Sequence, residues 1–143
     1  MPNLTAPLTT HPLFQISRLS HGVLYEINAI LEDKELPTIS LLRILVHVHL
    51  DSRISPTTLA TRLGLSAAAV SRQVKVLELK GYLRRKPGLD RRRVGLVLTA
   101  TGKKCVEKSV RECLPILDRR LSLLSASEKT TLNNLLRKLL GSA

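Results

Sequence analysis

Aromatic side chains are almost missing from this chain. It has no tryptophan, and its aromatic residues are limited to Phe14, Tyr25 and Tyr82. Proteins that bind RNA loops or single strands stack the exposed bases on aromatic side chains. The composition therefore disfavours a protein that binds single-stranded nucleic acid.

Cysteines, long apolar runs and recognisable groups of catalytic residues are also scarce. The chain has two cysteines, which are too few for a disulfide framework. No segment approaches the roughly 20 apolar residues of a membrane span, and the N-terminal residues do not resemble a signal peptide. We find no nucleophile–base pair, phosphate loop or paired carboxylates at a useful spacing, and no residue set that requires a cofactor. These absences predict a cytoplasmic protein that is not an enzyme and does not enter a membrane.

Acidic residues are few, and the basic excess is concentrated in one segment. The 143 residues suit one domain with a helical extension, and they carry a formal net charge of +12. Residues 72–104 hold 11 of the 23 lysines and arginines but only two acids, a local net charge of +9. Such a concentration predicts a surface that binds phosphate groups.

Hydrophobic periodicity predicts a mainly helical chain with one small β-hairpin. Residues 1–12 contain three prolines and are expected to form a flexible arm. Ser125 and Glu128 match a capping box at the start of the last helix. Helices are predicted at 13–31, 38–50, 57–63, 67–80, 100–124 and from 126 onward, and strands at 82–86 and 94–98.

The segment from Ile54 to Gly81 has the pattern of a helix-turn-helix. Ser55 and Ser66 can cap two successive helices, and Gly64 suits the end of the first. The second helix divides into an apolar face and a face of small and basic residues. Small side chains let a helix backbone lie deep in the major groove, and arginine can form paired hydrogen bonds with guanine. The predicted DNA-binding residues of this element are Ser66, Ala67, Ala68, Ser71, Arg72 and Lys75.

A basic hairpin follows the helix pair. Its turn contains Arg91, Arg92 and Arg93, and Asp90 can pair with one of these arginines and stabilise the loop. Cationic side chains held in this way suit a narrow minor groove. The three arginines are therefore predicted to bind DNA, and Asp90 is predicted to stabilise the hairpin.

These motifs resemble those of the MarR family of bacterial transcriptional regulators. The resemblance covers roughly residues 13–140 and is strongest from Leu59 to Gly102. It implies a homodimer with interlocking terminal helices, recognition helices in consecutive major grooves of a pseudopalindromic operator, and wings in the flanking minor grooves. Arg92 is then the best candidate for minor-groove insertion. Many members are repressors that small phenolic or lipophilic ligands release. The residues that carry the resemblance are Leu59-Ala60, Leu63-Gly64-Leu65-Ser66, Val70-Ser71-Arg72, Leu77-Glu78, Gly81-Tyr82-Leu83, Asp90-Arg91-Arg92 and Leu98-Thr99-x-x-Gly102.

The sequence thus predicts a winged helix-turn-helix with N- and C-terminal dimerisation helices. Residues 37–102 form the DNA-binding region, and residues 13–36 and 103–143 form the dimerisation region, because a second copy would cover their wide leucine faces. We expect a dimeric, sequence-specific regulator of double-stranded DNA in the nucleoid, a repressor controlled by a small-molecule effector. The alternative is a protein-interaction module, which would not need the local charge of +9.

The two cysteines leave one further role open. Cys105 and Cys113 lie eight residues apart on one predicted helix, about 12 Å along its axis, and a disulfide requires Cα atoms within about 7 Å. Cys113 falls on the apolar stripe and is expected in the core. The neighbouring Lys103, Lys104 and Lys108 are expected to lower the pKa of Cys105, so this residue is a candidate for redox sensing.

The histidines do not suggest a metal site. His47 and His49 are two residues apart on a predicted helix, about 200° around its axis, so they cannot bind the same ion. No metal is therefore predicted. Either histidine is instead a candidate for lining a ligand pocket at the hinge between the two regions.

Overall fold

The computed structural model describes residues 6–87 and 94–141, which form a mainly helical fold with one antiparallel hairpin. This confirms the predicted fold class. The elements are α1 (Ala6–Thr10), α2 (Pro12–Asp33), α3 (Ile39–Leu50), α4 (Pro56–Leu63), α5 (Ala67–Leu79), β1 (Leu83–Pro87), β2 (Val94–Leu98), α6 (Ala100–Leu121) and α7 (Ala126–Leu139).

The helix ends follow the local signals of the sequence. The Ser55 hydroxyl accepts a hydrogen bond from the Thr58 N–H at 3.0 Å, and the Ser66 hydroxyl accepts one from the Ala69 N–H at 3.1 Å. Gly64 ends α4 at a φ of 63°. Ser125 and Glu128 form the predicted capping box of α7. These contacts lie within four residues of each other, so the sequence alone was sufficient to predict them.

The N-terminal region differs from the expectation. Residues 6–10 form α1, where we expected an arm without regular structure, and residues 1–5 lie outside the described part. Pro12 is the first residue of α2, and His11 Nδ1 accepts a hydrogen bond from the Leu13 N–H at 3.3 Å. Proline at this position loses no helical hydrogen bond. Pro12 was expected to belong to an irregular segment, but it is the first residue of a helix.

The start of α3 depends on a contact between helices. Pro37 was expected in its first turn, but it precedes the N-cap residue Thr38, whose side chain makes no capping hydrogen bond. Asn28 of α2 instead accepts a hydrogen bond from the Ile39 N–H through its Oδ1 at 2.9 Å. This contact fixes the start of α3 relative to α2.

Two apolar clusters form the core, and α6 contributes to both. The larger cluster lies between α3, α4, α5, α6 and the hairpin, and its most deeply buried side chains include Ile44, Leu45, Leu59, Leu77 and Leu96. The smaller cluster joins α2 and α3 to α6 through Ile27, Leu31, Leu42 and Cys113. Cys113 is therefore a core residue, as predicted.

The hairpin is antiparallel, with Leu83 opposite Leu98 and Pro87 opposite Val94. Its first strand begins one residue later than predicted, at Leu83. The segment before α4 lies along the other edge of β2. There the Arg53 N–H donates to the Leu96 carbonyl at 2.9 Å, and the Leu96 N–H donates to the Ile54 carbonyl at 3.0 Å. The hairpin is thus attached to the start of the helix-turn-helix.

The C-terminal helices extend beyond the core. α6 continues through Pro115 as one helix, and α7 contains no buried residue. Leucines remain exposed on both helices, including Leu121, Leu135 and Leu139. None of the described helices combines the length and apolarity that crossing a membrane requires.

Candidate nucleic-acid interface

The second helix of the helix-turn-helix, α5, separates its side chains as the sequence predicts. Val70, Val74 and Leu77 are fully buried against the core and hold the helix in place. The opposite face is open to solvent. Its exposed residues are Ser66, Ala67, Ala68, Ser71, Arg72 and Lys75, the same six that were predicted to bind DNA.

The chemistry of this face changes along the helix. The alanines and Ser71 make the N-terminal half narrow, while Arg72 and Lys75 extend from the second and third turns. Neither Arg72 nor Lys75 forms an ion pair with an acidic residue in the described part of the chain. Ser66 uses one lone pair to cap the helix, and its hydroxyl proton remains available to a phosphate oxygen. This face can therefore approach the edges of bases and their phosphates.

The first strand of the hairpin adds exposed cations beside α5. Arg84, Arg85 and Lys86 are all exposed. Arg85 Nε donates to Glu78 Oε1 at 3.1 Å, which links the hairpin to the C-terminal part of α5. Both side chains are partly exposed, so the pair contributes less than about 1 kcal/mol to stability. The pair is a contact between α5 and the hairpin that the sequence did not reveal.

The predicted tip of the wing lies outside the described residues. Asp90, Arg91, Arg92 and Arg93 belong to the segment that joins Pro87 to Val94. Their roles in DNA binding and in stabilising the hairpin stay predictions. The paired strands on either side establish where this segment leaves the fold and where it returns.

Contacts at the base of the hairpin account for the residues of the motif Leu98-Thr99-x-x-Gly102. The Thr99 hydroxyl donates to the Gly81 carbonyl at 2.6 Å and accepts from the Gly102 N–H at 3.0 Å. The Thr99 N–H donates to the Tyr82 carbonyl at 3.1 Å. A Cβ atom at Gly102 would lie only 1.8 Å from the Tyr82 carbonyl oxygen, so no side chain fits there. Thr99 and Gly102 therefore hold the start of α6 against the turn that follows α5.

The environment of Cys105 contradicts the expected low thiol pKa. Cys105 is buried, and burial raises its pKa more than the charges of Lys108 and Lys80 lower it. The sequence placed three lysines close to this thiol but did not show that the thiol faces the core. Burial also raises the pKa of Cys113. Both cysteines are free thiols, and a sensing role for Cys105 has no support from this geometry.

The four histidines lie outside α5 and the two strands. Desolvation lowers the pKa of half-buried His47, and the charges of Arg62 and Arg43 lower it further. The residues that the structure describes include no group of three or more histidine, cysteine or acidic side chains that could hold a metal ion. A pocket of about 480 Å³ opens between α2 and α3. It is lined by Asn28, Glu32, Leu36, Thr38 and Ser40, rather than by His47 or His49.

Comparison with known sequences matches the central part of the chain. The MarR family profile matches residues 38–93, which include α3, α4, α5 and the first strand, β1. A curated relative, the uncharacterized HTH-type transcriptional regulator YdgJ of Bacillus subtilis (strain 168), is 31% identical over 102 residues. The aligned segment covers 71% of this chain and 60% of the relative, so the chain spans less than two thirds of that protein.

Comparison with solved structures extends the match to most of the chain. Wild-type MarR from E. coli in its apo form is 27% identical, with a TM-score of 0.70 over 87% of this chain and 96% of that one. A mutant MarR from E. coli complexed with operator DNA is 26% identical, with a TM-score of 0.72 over 90% and 95%. The S. aureus MepR–DNA complex is 22% identical, with a TM-score of 0.79 over 92% and 96%, and supports the fold alone.

Proposed function

We propose that the chain is a member of the MarR family and a transcriptional regulator that binds double-stranded DNA through α5 and the adjoining hairpin. The observation that carries the proposal is the exposed face of α5. It combines small side chains with the cations Arg72 and Lys75, which form no ion pair within the described residues, opposite a fully buried apolar face. A helix of this shape fits the major groove, where arginine and lysine recognise guanine.

The surrounding charge supports the same proposal. Arg84 and Lys86 are exposed on the strand beside α5, and the three arginines of the predicted wing tip follow in the sequence. Phosphate contacts from such residues supply affinity and position, while the contacts of α5 supply sequence preference. A structure of the 26% identical E. coli relative contains operator DNA.

We propose further that the protein acts as a homodimer. α7 has no buried residue, and exposed leucines follow its length and the end of α6. A second copy can cover both sets of leucines at once through a twofold axis. Two copies of α5 would then recognise half-sites of a pseudopalindrome about 34–36 Å apart.

We propose finally that the protein is a repressor and that a small-molecule effector controls its DNA binding. The pocket between α2 and α3 is a candidate effector site because it combines the Glu32 carboxylate with amide and hydroxyl groups. It lies on α2 and α3, so a ligand there can change how α2 meets the DNA-binding region. Regulation of this kind takes place at the nucleoid in the cytoplasm, and DNA binding requires no enzymatic activity and no cofactor.

Selection of the purified protein on random duplex DNA tests the proposal, with binding titrated at several salt concentrations. We expect a pseudopalindrome with half-sites about one helical turn apart and an affinity that falls steeply with salt. Salt-sensitive binding without a preferred sequence would indicate a basic module that binds DNA without sequence specificity. In that case the protein-interaction alternative would become the better description.

A further inference from the structure

Arg53 has a backbone conformation that side-chain-bearing residues rarely adopt. Its φ is 79°, and in the described part of the chain Glu35, at 54°, is the one other non-glycine residue with a positive φ. This region favours glycine because a Cβ atom approaches the backbone closely there. An arginine in this conformation costs stability, and such costs concentrate at functional positions.

The hairpin holds Arg53 in this conformation. The backbone of residues 53 and 54 forms two hydrogen bonds with Leu96 of β2, at 2.9 and 3.0 Å. The neighbouring strand residue, Gly95, packs directly on Arg53. A Cβ atom at Gly95 would lie 2.8 Å from the Cα, Cβ and carbonyl oxygen of Arg53. Arg53 therefore sits against the strand that begins immediately after the basic segment 91–93.

The charge of Arg53 has no acidic partner in the described residues. Arg53 is exposed, and the acid nearest to it in the sequence, Asp51, instead pairs with Arg62 at 2.9 Å. Burial and ion pairing thus do not explain why an arginine occupies this strained position. What remains is an exposed guanidinium held beside the hairpin, next to the first turn of the helix-turn-helix.

We propose that Arg53 binds a backbone phosphate of the duplex beside the hairpin, as a cationic contact outside the recognition helix. The inference rests on the proposed function, since it requires that the chain binds duplex DNA. A phosphate contact carries no sequence information, but it contributes affinity and orientation on every duplex. Because the backbone of Arg53 is hydrogen-bonded to β2, Arg53 and the hairpin approach the DNA backbone together.

The variant Arg53→Gly separates this role from a structural one, because glycine relieves the strained φ while it removes the charge. We expect Tm to stay the same or rise by a few degrees. Binding to a labelled mixed-sequence duplex of about 30 base pairs should weaken roughly fivefold at 0.1 M salt. The slope of log affinity against log salt should become shallower by about one for each bound copy of the chain.

Two further variants provide the controls. Glu35→Gly relieves the other positive φ, in the turn between α2 and α3 away from the hairpin. It should not weaken DNA binding or make the salt slope shallower. Arg53→Lys keeps the charge at the strained position and should keep affinity within about twofold of the wild type, since a phosphate accepts either cation.

The outcomes distinguish this inference from the function on which it rests. If the wild-type chain binds the duplex and Arg53→Gly binds with the same affinity and salt slope, Arg53 contacts no phosphate and this inference alone fails. Weak binding by Arg53→Lys, equal to that of the glycine variant, would also overturn it. A wild-type chain that does not bind the duplex would overturn the proposed function as well.

Discussion

At the scale of single residues, close approach explains one glycine that the sequence marks only as part of a motif. Gly102 lies against the Tyr82 carbonyl, where a Cβ atom would come within 1.8 Å of the oxygen. We therefore expect Gly102→Ala to lower the free energy of unfolding by about 2–4 kcal/mol, because the added Cβ atom would force the start of α6 away from the Tyr82 carbonyl. Chemical denaturation measures this directly.

Gly22→Ala is the matched control for that substitution. Gly22 lies inside α2, and a Cβ atom there would have no neighbour within 4 Å in the described chain. Alanine favours a helix over glycine by about 0.5–1 kcal/mol, so this variant should be slightly more stable. A Gly102→Ala chain as stable as the wild type would show that α6 can shift away from the turn after α5.

Arg72 supplies the residue-scale prediction about recognition. It is exposed on α5 without an ion pair in the described residues. Arg72→Ala should weaken binding to a selected operator by about 1–3 kcal/mol and relax the preference at one base pair of each half-site. Arg111→Ala removes the same charge from the exposed side of α6 and should leave the preferred sequence unchanged. An equal loss on operator and random duplexes would contradict base recognition by Arg72.

The residue scale also shows where sequence reasoning reaches its limit. Val70, Val74 and Leu77 were correctly placed in the core because helical periodicity assigns them to one face. The pKa of Cys105 was predicted in the wrong direction from three neighbouring lysines. Proximity along a helix does not reveal that a side chain faces the core, and desolvation there exceeds the effect of the charges.

At the scale of elements, the sequence predicts local contacts and misses contacts between elements. Ser55, Ser66 and Ser125 cap helices through residues three positions away, so their roles follow from short motifs. Asn28 caps α3 from eleven residues earlier, and Thr99 binds the turn at Gly81 from eighteen residues later. Such contacts depend on how the helices pack, which no local pattern specifies.

The ion pair between Glu78 and Arg85 provides a test at this scale. It joins α5 to β1, and its partial exposure limits its contribution to stability. Glu78→Gln should change the free energy of unfolding by less than about 1 kcal/mol. It should lower the ratio of operator affinity to random-duplex affinity, because the hairpin loses a contact that orients it relative to α5.

Glu107→Gln provides the control for charge. It removes one exposed acid from α6, so it changes the net charge by the same amount without touching the hairpin. General attraction to DNA should increase similarly in both variants. If the two variants change the affinity ratio equally, the ion pair has no orienting role.

At the scale of the whole molecule, the main concentration of charge and the exposed leucines of the C-terminal helices occupy different regions of the chain. Residues 72–104 carry a net charge of +9, while the exposed leucines at the end of α6 and on α7 lie C-terminal to this segment. The one surface suits a polyanion, and the other suits an apolar partner. The sequence indicated this separation, since both charge and leucine periodicity are readable without a structure.

Truncation after Leu124 tests whether the apolar surface joins two copies. α7 contributes no buried residue to its own chain, so its removal should leave the core of the DNA-binding region folded. We expect light scattering to give the mass of a monomer for the truncated chain and about twice 15.8 kDa for the full chain. Operator binding should weaken strongly, because each monomer then recognises a single half-site.

Removal of residues 141–143 alone provides the control, since it leaves α7 intact and should preserve both the dimer and operator binding. Thermal unfolding of the truncated chain should still be cooperative, which separates loss of the partner from loss of the fold. A truncated chain that remains a stable dimer would show that α7 is not central to the interface. The exposed leucines of α6, together with those of α1 and α2, would then have to hold the two copies together.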